Sequence, residues 1–359
     1  MIRRKLTAVI LAASFFILIP AIFAEGTRRA AGEGNVVLTE NAVIDGSYDA
    51  LYECDVTLRN LLDYYSPEVF SGVPAVNREY FQSEFGVLDD MYTWQFGNGC
   101  ELYCSCFSLS YGNADMERYN QLLTYMDDAN IKAEADTPEG FPVEDALSRC
   151  DALFRELMIE NLVPDQAIAL PYGYIRKLTD DMVLYYSGAA KLDIFHNFDD
   201  DISAWYLTFR QQMNGLKSTE EPQVSMIMTK NGIALLTITN VIERTENAVQ
   251  TDAEPSWQDA LDMFTALHGG RVYEEYSEKF EIAGIRIGYD IESASVDNDG
   301  MIRTKAFPCW RVDGTQILEV NWRQDTGIPD TKTLQISETY RISGKDLILI
   351  RTVGGITRK

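Results

Sequence analysis

Two histidines, His196 and His268, are the chain's whole supply of imidazole, and they lie far apart in sequence. A zinc site of the His-Glu-x-x-His type, a Gly-x-Ser-x-Gly nucleophile elbow, a Ser-x-x-Lys pair and a phosphate-binding loop each need their residues at fixed spacing. None of these spacings occurs. A histidine-based zinc site or general base would have to gather both histidines and several carboxylates from distant segments. No catalytic, metal-ligating or cofactor-binding residue is nominated, no cofactor is expected, and the ligand-binding residues are unknown at this level.

Six cysteines remain to be placed: Cys54, Cys100, Cys104, Cys106, Cys150 and Cys309. Cys104 and Cys106 in one strand would point the same way, whereas zinc sites set their paired cysteines around a tight turn. No Cys-x-x-Cys redox pair is present. The two readings left for this group are a structural disulfide and small buried hydrophobes. Cys150 falls on the apolar face of a helix and reads as a buried free thiol.

Acids cluster at Asp89-Asp90, Asp127-Asp128, Asp180-Asp181 and Asp199-Asp200-Asp201. Calcium or a glycosidase carboxylate pair could use such groups, but adjacent acids in loops more often serve as caps and solvated turns. The run Ser295-Val296-Asp297-Asn298-Asp299-Gly300 approaches a calcium loop. It has Ser295 at the first ligand position and Ala306 where a bidentate Glu is needed, so a turn before Met301-Ile302 explains it better. Tyr103, Phe107 and Tyr111, counted along one strand with Trp94 across a hairpin, could form a sugar-stacking platform. The same residues could line the inner face of a covered sheet.

These groups must be held by regular elements. Leu58, Leu61, Leu62 and Tyr65 predict a short helix stopped by Pro67, and Met116, Tyr119, Leu123 and Met126 predict a second. The clearest helix runs from Pro142 to about Asn161, with Val143, Ala146, Leu147, Cys150, Leu153, Phe154, Leu157 and Met158 on one face. Another carries Trp257, Ala260, Leu261, Phe264 and Leu267. Hairpins are predicted at Gly97-Asn98-Gly99, Asn214-Gly215 and Asn231-Gly232, and a turn at Asp313-Gly314. Strands are expected at Ala167 to Tyr174, Ile282 to Ile291, Phe307 to Val312, Ile317 to Trp322, Thr333 to Ile342 and Leu347 to Val353. This mixture predicts an α+β protein of two domains, residues 36–198 and 199–359, each with helices packed on an antiparallel sheet. A helix-then-strand order starting at Pro142 and again at Pro255, with Asp-Ala-Leu in both, suggests a duplication.

The N-terminus sets the expected compartment. Arg3, Arg4 and Lys5 precede an apolar run from Leu6 to Ala24 that Pro20 interrupts, the layout of a secretory signal with cleavage after Ala24. The run is also long enough to stay as a signal anchor across a core of ~30 Å. Either way the bulk of the chain is expected outside the cytoplasm, secreted or tethered to the outer face of the membrane, behind a flexible leader at 25–35. The membrane would then be touched only through an uncleaved N-terminal segment. Lysine and arginine total 31 against 55 acids, a formal net charge of −24. Nucleic acid and anionic lipid surfaces are therefore poor partners, since both need a basic footprint.

Trp205 to Leu216, the Lys230-Asn231-Gly232-Ile233 turn and Phe307-Pro308-Cys309-Trp310-Arg311-Val312 resemble uncharacterised exported proteins and lipoproteins of Gram-positive bacteria. Those are in turn similar to PepSY and YycI-like extracytoplasmic domains. The resemblance implies a helix on an antiparallel sheet, repeated, and a regulatory or binding role beside a membrane sensor or another envelope protein. The chain departs from the lipoproteins in lacking a lipid-attachment cysteine. The expected function is thus a non-catalytic extracytoplasmic binding or regulatory module at the cell envelope. The alternative is a carboxylate-dependent hydrolase acting on envelope or dietary polymers.

Overall fold

The computed structural model describes residues 34–46, 48, 50–64, 67–82, 90–113, 116–128, 138, 140–186, 203–219, 222–251, 255–269, 276–297, 301–320 and 330–354. The apolar N-terminal run, His196 and Asp199-Asp200-Asp201 lie outside the described residues.

The first sheet runs in the order β1 (Val36–Asp45), β13 (Tyr276–Ile291), β15 (Ile302–Val320), β16 (Asp330–Ser343) and β17 (Asp346–Gly354). To it are added β2 (Tyr52–Leu58) beside β15, β12 (Ile242–Gln250) beside β2, and β14 (Ser295–Val296) beside β15. β1 lies parallel to β13, with Val36 opposite Phe280 and Asp45 opposite Arg286.

The second sheet has the order β3 (Ala75–Phe81), β4 (Met91–Phe96), β5 (Glu101–Ser105), β6 (Ser108–Gly112), β11 (Gly232–Thr239), β10 (Val224–Thr229), β8 (Ala204–Met213) and β7 (Leu162–Leu170). The short β9 (Leu216–Lys217) folds back on β8. The helices are α1 (Leu61–Tyr64), α2 (Glu68–Ser71), α3 (Met116–Asp128), α4 (Val143–Glu156), α5 (Tyr172–Tyr186) and α6 (Trp257–His268).

This corrects the expected α+β class. Among the described residues strand outweighs helix by more than two to one, in a β-rich sandwich of two large sheets rather than domains of helices packed on a sheet. The strong helical periodicities stand out in the sequence, whereas several strands carry little alternation. β12 is exposed along nearly all its length and β1 along much of it, so no buried face marks them. The two helix-then-strand units of the suggested duplication fall in different sheets. α4 leads into β7 at the end of one sheet, and α6 leads toward β13, which is paired on both sides within the other. The expected boundary between residues 198 and 199 falls between β7 and β8, adjacent antiparallel strands.

Alternation along the strands sorts the apolar side chains into separate layers. Trp205, Leu207 and Phe209 of β8 and Met226 and Met228 of β10 share a core with Ala146, Cys150, Leu153 and Phe154 of α4. Phe154 meets Phe209 edge-on at 4.8 Å between centroids. Ile227 and Leu235 join a second core with Leu122 of α3 and with Ile175 and Leu178 of α5. With apolar cover on both faces, β8 and β10 are buried almost throughout. Arg59 holds the end of α4, its Nη1 donating to the Leu157 carbonyl at 2.6 Å and its Nη2 to that of Met158 at 2.8 Å. These are carbonyls a helix terminus leaves without an intrahelical partner.

α5 replaces the last part of the strand expected at Ala167 to Tyr174. Pro171 interrupts it, and its carbonyl accepts from the amides of Tyr174 and Ile175 as the helix begins. On the first sheet, Ala260 and Phe264 of α6 pack with Phe280, Ile282, Trp310 and Tyr340. The predicted turn at Asp313-Gly314 is also overturned, because β15 runs straight through it opposite β13 and β16. Gly314 lies where β13 bulges between Ile282 and Gly284, and a Cβ there would come within 2.7 Å of the Glu281 carbonyl oxygen.

The sheets meet at a fourth cluster, in which Cys54, Val56 and Leu58 of β2 and Tyr289 and Ile291 of β13 pack with Met213 of β8. Hydrogen bonds stitch the same region. The Thr219 amide donates to the Tyr289 carbonyl at 2.8 Å, and the Tyr289 hydroxyl donates to the Gln211 carbonyl at 2.9 Å.

Candidate functional site

The six cysteines are buried with free thiols. Cys104 belongs to the α4-covered core, while Cys106 lies past the end of β5 and joins Cys54 at the junction of the sheets. The two do not share a strand face as expected, because β5 ends at Ser105. Burial pushes the Cys104 and Cys150 thiols up to about 12, which leaves them protonated and unreactive near neutral pH. Cys150 Sγ lies 3.2 Å from Met226 Sδ, and Cys309 Sγ lies 3.2 Å from Thr219 Oγ1. Among the described residues, no group of three His, Cys, Asp or Glu side chains gathers where it could hold a metal ion.

The acidic clusters separate. Asp90 is buried and accepts a hydrogen bond from the Tyr80 hydroxyl at 2.5 Å. Asp127-Asp128 ends α3, and Asp180-Asp181 lies within α5. Asp297 closes a turn between β14 and β15: its amide donates to the Met301 carbonyl, its Oδ1 accepts from the Met301 amide, both at 2.9 Å, and Arg303 pairs with it at 2.7 Å.

The aromatic platform is the most informative departure. Tyr111 is buried opposite Leu102, but Tyr103 pairs with Ser110 on the other face, where its hydroxyl donates to Glu101 Oε2 at 2.5 Å. The chain turns at Cys106-Phe107, so parity counted through Tyr103, Phe107 and Tyr111 does not carry from β5 to β6. Tyr111 meets Phe70 at 5.7 Å and Phe96 at 6.4 Å, as a core residue.

Trp94 instead belongs to a ladder at the sheet edge. β3 and β4 pair antiparallel with Arg78 opposite Trp94 and Tyr80 opposite Tyr92, which places all four on one face. Ring centroids are 4.8 Å apart for Tyr80 and Tyr92 and 5.7 Å for Tyr92 and Trp94. The Arg78 guanidinium lies over Tyr92 at 4.2 Å and over Trp94 at 5.4 Å. Tyr80 is 48% exposed, and its hydrogen bond to Asp90 pushes the phenol up to about 12, keeping it neutral and oriented. Arg78, Tyr80 and Tyr92 were not singled out from sequence. The alternation of Arg78 with Tyr80 and of Tyr92 with Trp94 is the signal that could have found them.

The ladder is part of a wider pattern. Among the described residues, ten of the thirteen exposed large hydrophobic side chains lie on β1, β3 and β17, the strands that end the sheet paths. β3 contributes Val76, Tyr80 and Phe81, and β17 contributes Ile348, Leu349, Ile350 and Val353. Native proteins usually protect such edges with charge, proline or cover. This arrangement can present rings, apolar side chains and strand backbone to another molecule, and it carries no nucleophile with an adjacent base.

No family model and no curated protein matches the chain. Among solved structures, the crystal structure of an uncharacterized protein from Eubacterium rectale ATCC 33656 is similar in fold. The TM-score is 0.56 at 11% sequence identity, covering 87% of this chain and 91% of that one.

Proposed function

We propose that this chain is a non-catalytic binding or regulatory module that works outside the cytoplasm and docks an envelope protein along the β3 edge. The observation that carries the reading is the Arg78, Tyr80, Tyr92 and Trp94 ladder, set on a strand that ends its sheet and leaves Tyr80 exposed. Tyr, Trp and Arg are the side chains that dominate interface energetics, and an edge strand can add main-chain hydrogen bonds to a partner. The charged n-region and apolar run at residues 3–24 support the compartment.

The carboxylates speak for binding over hydrolysis. Asp165 pairs with Arg210, Asp313 with Arg286 and Arg311, Asp290 with Arg351, and Glu53 and Glu292 with Arg341. A hydrolytic pair needs one acid held protonated beside one free to act on substrate or water.

The test places a photoreactive phenylalanine analogue at Tyr80 in producing cells and identifies the cross-linked products. A discrete envelope protein, lost when Arg78→Glu is added to a chain that still folds, is the expected result. Labelling that is diffuse, or indifferent to Arg78→Glu, would overturn the reading.

A further inference from the structure

Where the two sheets meet, charged side chains from both converge. From the second sheet, Arg210 Nε donates to Asp165 Oδ2 at 2.6 Å and its Nη1 to the Ser218 carbonyl at 3.0 Å. Lys217 Nζ lies 3.8 Å from Asp165 Oδ1 and is 42% exposed. From the first sheet, Arg311 Nε donates to Asp313 Oδ1 at 2.7 Å, and its Nη1 donates across the junction to the Thr219 carbonyl. Arg286 Nη2 reaches Asp313 Oδ2 at 3.1 Å, and Ser337 Oγ donates to Asp313 Oδ1 at 2.7 Å.

Four cations thus face two carboxylates in a chain whose formal net charge is −24. Asp45, the exposed cross-strand neighbour of Arg286, stands at the rim. The local sign is opposite to that of the molecule, and Asp313 is already shared among Arg286, Arg311 and Ser337. Arg286 is the least satisfied member. Its Nε is buried without a hydrogen-bond partner, while its side chain is 35% exposed. Burial lowers its affinity for a proton; Asp313 opposes that, and the nearby charges of Arg311 and Arg210 add to it. With Nε buried, the terminal nitrogens are the part of this side chain that can meet a ligand from solvent, and beside a surplus of like charge they suit a small oxyanion as charge-assisted donors.

We infer that this junction binds a phosphate group, held by Arg286 and Lys217 over the Arg210 and Arg311 ion pairs. The acidic remainder of the chain disfavours a polyanion or an anionic bilayer and leaves a small, singly phosphorylated ligand as the match. Because β9 and the Thr219 segment supply one wall and β13 and β15 the other, occupancy would tie the sheets together.

The experiment titrates the full chain with inorganic phosphate, with glycerol phosphate, and with sodium acetate and sodium chloride at matched ionic strength, read by calorimetry and by thermal unfolding. Saturable binding of either phosphate, with a matching rise in Tm that acetate and chloride do not give, is expected. Binding of glycerol phosphate alone would assign an organic phosphoester, and binding of both would assign the phosphate group itself. Lys217→Gln, at an exposed position, should weaken binding about tenfold, the effect of one lost charge-assisted contact, and Arg286→Gln should abolish it. Lack of saturable binding, or binding that Lys217→Gln leaves unchanged, would overturn the proposal even if Arg286→Gln fails to fold.

Discussion

His268 Nε2 lies 2.7 Å from Glu338 Oε1, tying the last turn of α6 to the middle of β16. The Glu338 carboxylate is almost wholly buried, and it also accepts from the Tyr340 hydroxyl and from Thr352 Oγ1 at 3.2 Å. Burial, then the Glu338 charge and hydrogen bond, push the Tyr340 phenol far above its usual range, which keeps it a donor. The imidazole lies tilted against Phe264 and Phe280, with ring centroids 4.5 Å and 4.9 Å away, so its position is set by packing as well as by the carboxylate.

Removing the imidazole therefore strands part of a buried carboxylate. His268→Leu should cost about 1 to 3 kcal/mol, the range for leaving a buried polar group short of a partner. Adding Glu338→Gln should cost less than the sum of the two single changes, because the pair acts as a unit. Urea unfolding of the four proteins measures the coupling, and strict additivity would refute it.

The α4 stripe offers a packing test. Phe154 is buried in the core beneath α4 and lies edge-on to Phe209. Phe154→Ala should lower stability by about 3 to 5 kcal/mol, while Leu147→Ala, at a partly exposed position of the same helix, should cost less. An unchanged unfolding midpoint for Phe154→Ala would contradict the placement.

What could be read beforehand was local. The α4 stripe is visible because its period repeats within one element, and the hairpins at residues 97–99, 214–215 and 231–232 are visible because positive φ selects Gly and Asn. Gly99, Asn214, Gly215 and Gly232 do have φ of 81°, 50°, 83° and 131°. What could not be read was pairing. The parallel match of β1 to β13 joins segments more than two hundred residues apart, and β12 carries no apolar alternation because it is exposed on both faces. Asp313-Gly314 has turn chemistry, yet Asp313 is held by two arginines and Gly314 makes room for the Glu281 carbonyl. The Tyr80, Tyr92 and Trp94 ladder exists only once β3 and β4 are in register, whereas Tyr111 takes the other reading its sequence allows, the inner face of a covered sheet.

The start of α6 makes a prediction about acid. Ser256 caps the helix: its Oγ accepts from the Asp259 amide while Asp259 Oδ2 accepts from the Ser256 amide at 2.6 Å. The Ser256 side-chain and backbone hydrogen bonds hold the Asp259 carboxyl below its ordinary value of 3.8. Its contribution is therefore present above that value and lost as pH falls through the lowered one. Ser256→Ala should cost about 1 kcal/mol near neutral pH and should move the Asp259 carboxyl back up in a titration followed by NMR. An unmoved carboxyl would show that the cap does not set it.

The buried thiols predict the opposite pH behaviour. Cys104 and Cys150 are raised from 9.0 to about 12, chiefly by burial. The folded state then holds its thiol protons more tightly than the unfolded one. Stability contributed this way is intact below 9.0 and declines as pH rises toward about 12. Iodoacetamide at pH 8 should leave both thiols unmodified in the native chain and label them in urea. Rapid native labelling of Cys150 would count against its burial on α4.

The close approach of the two sheets rests on a glycine. A Cβ at Gly288 of β13 would overlap the Lys217 carbonyl oxygen and lie 2.6 Å from Thr219 Cγ2, with backbone on one side that cannot swing away. At Gly284 on the same strand, the nearest atom to a Cβ is the Val43 carbonyl oxygen at 3.5 Å, an ordinary contact. Gly288→Ala should therefore cost about 1 to 3 kcal/mol, the range for overpacking, and should speed exchange of the Thr219 amide, whose bond to Tyr289 depends on that approach. Gly284→Ala should stay within about 1 kcal/mol of the parent, since the lost flexibility of the unfolded chain favours alanine where the folded backbone accepts it. Equal effects of the two changes on the unfolding midpoint would mean that β9 does not rest against β13, and the junction of the sheets would have to be redrawn.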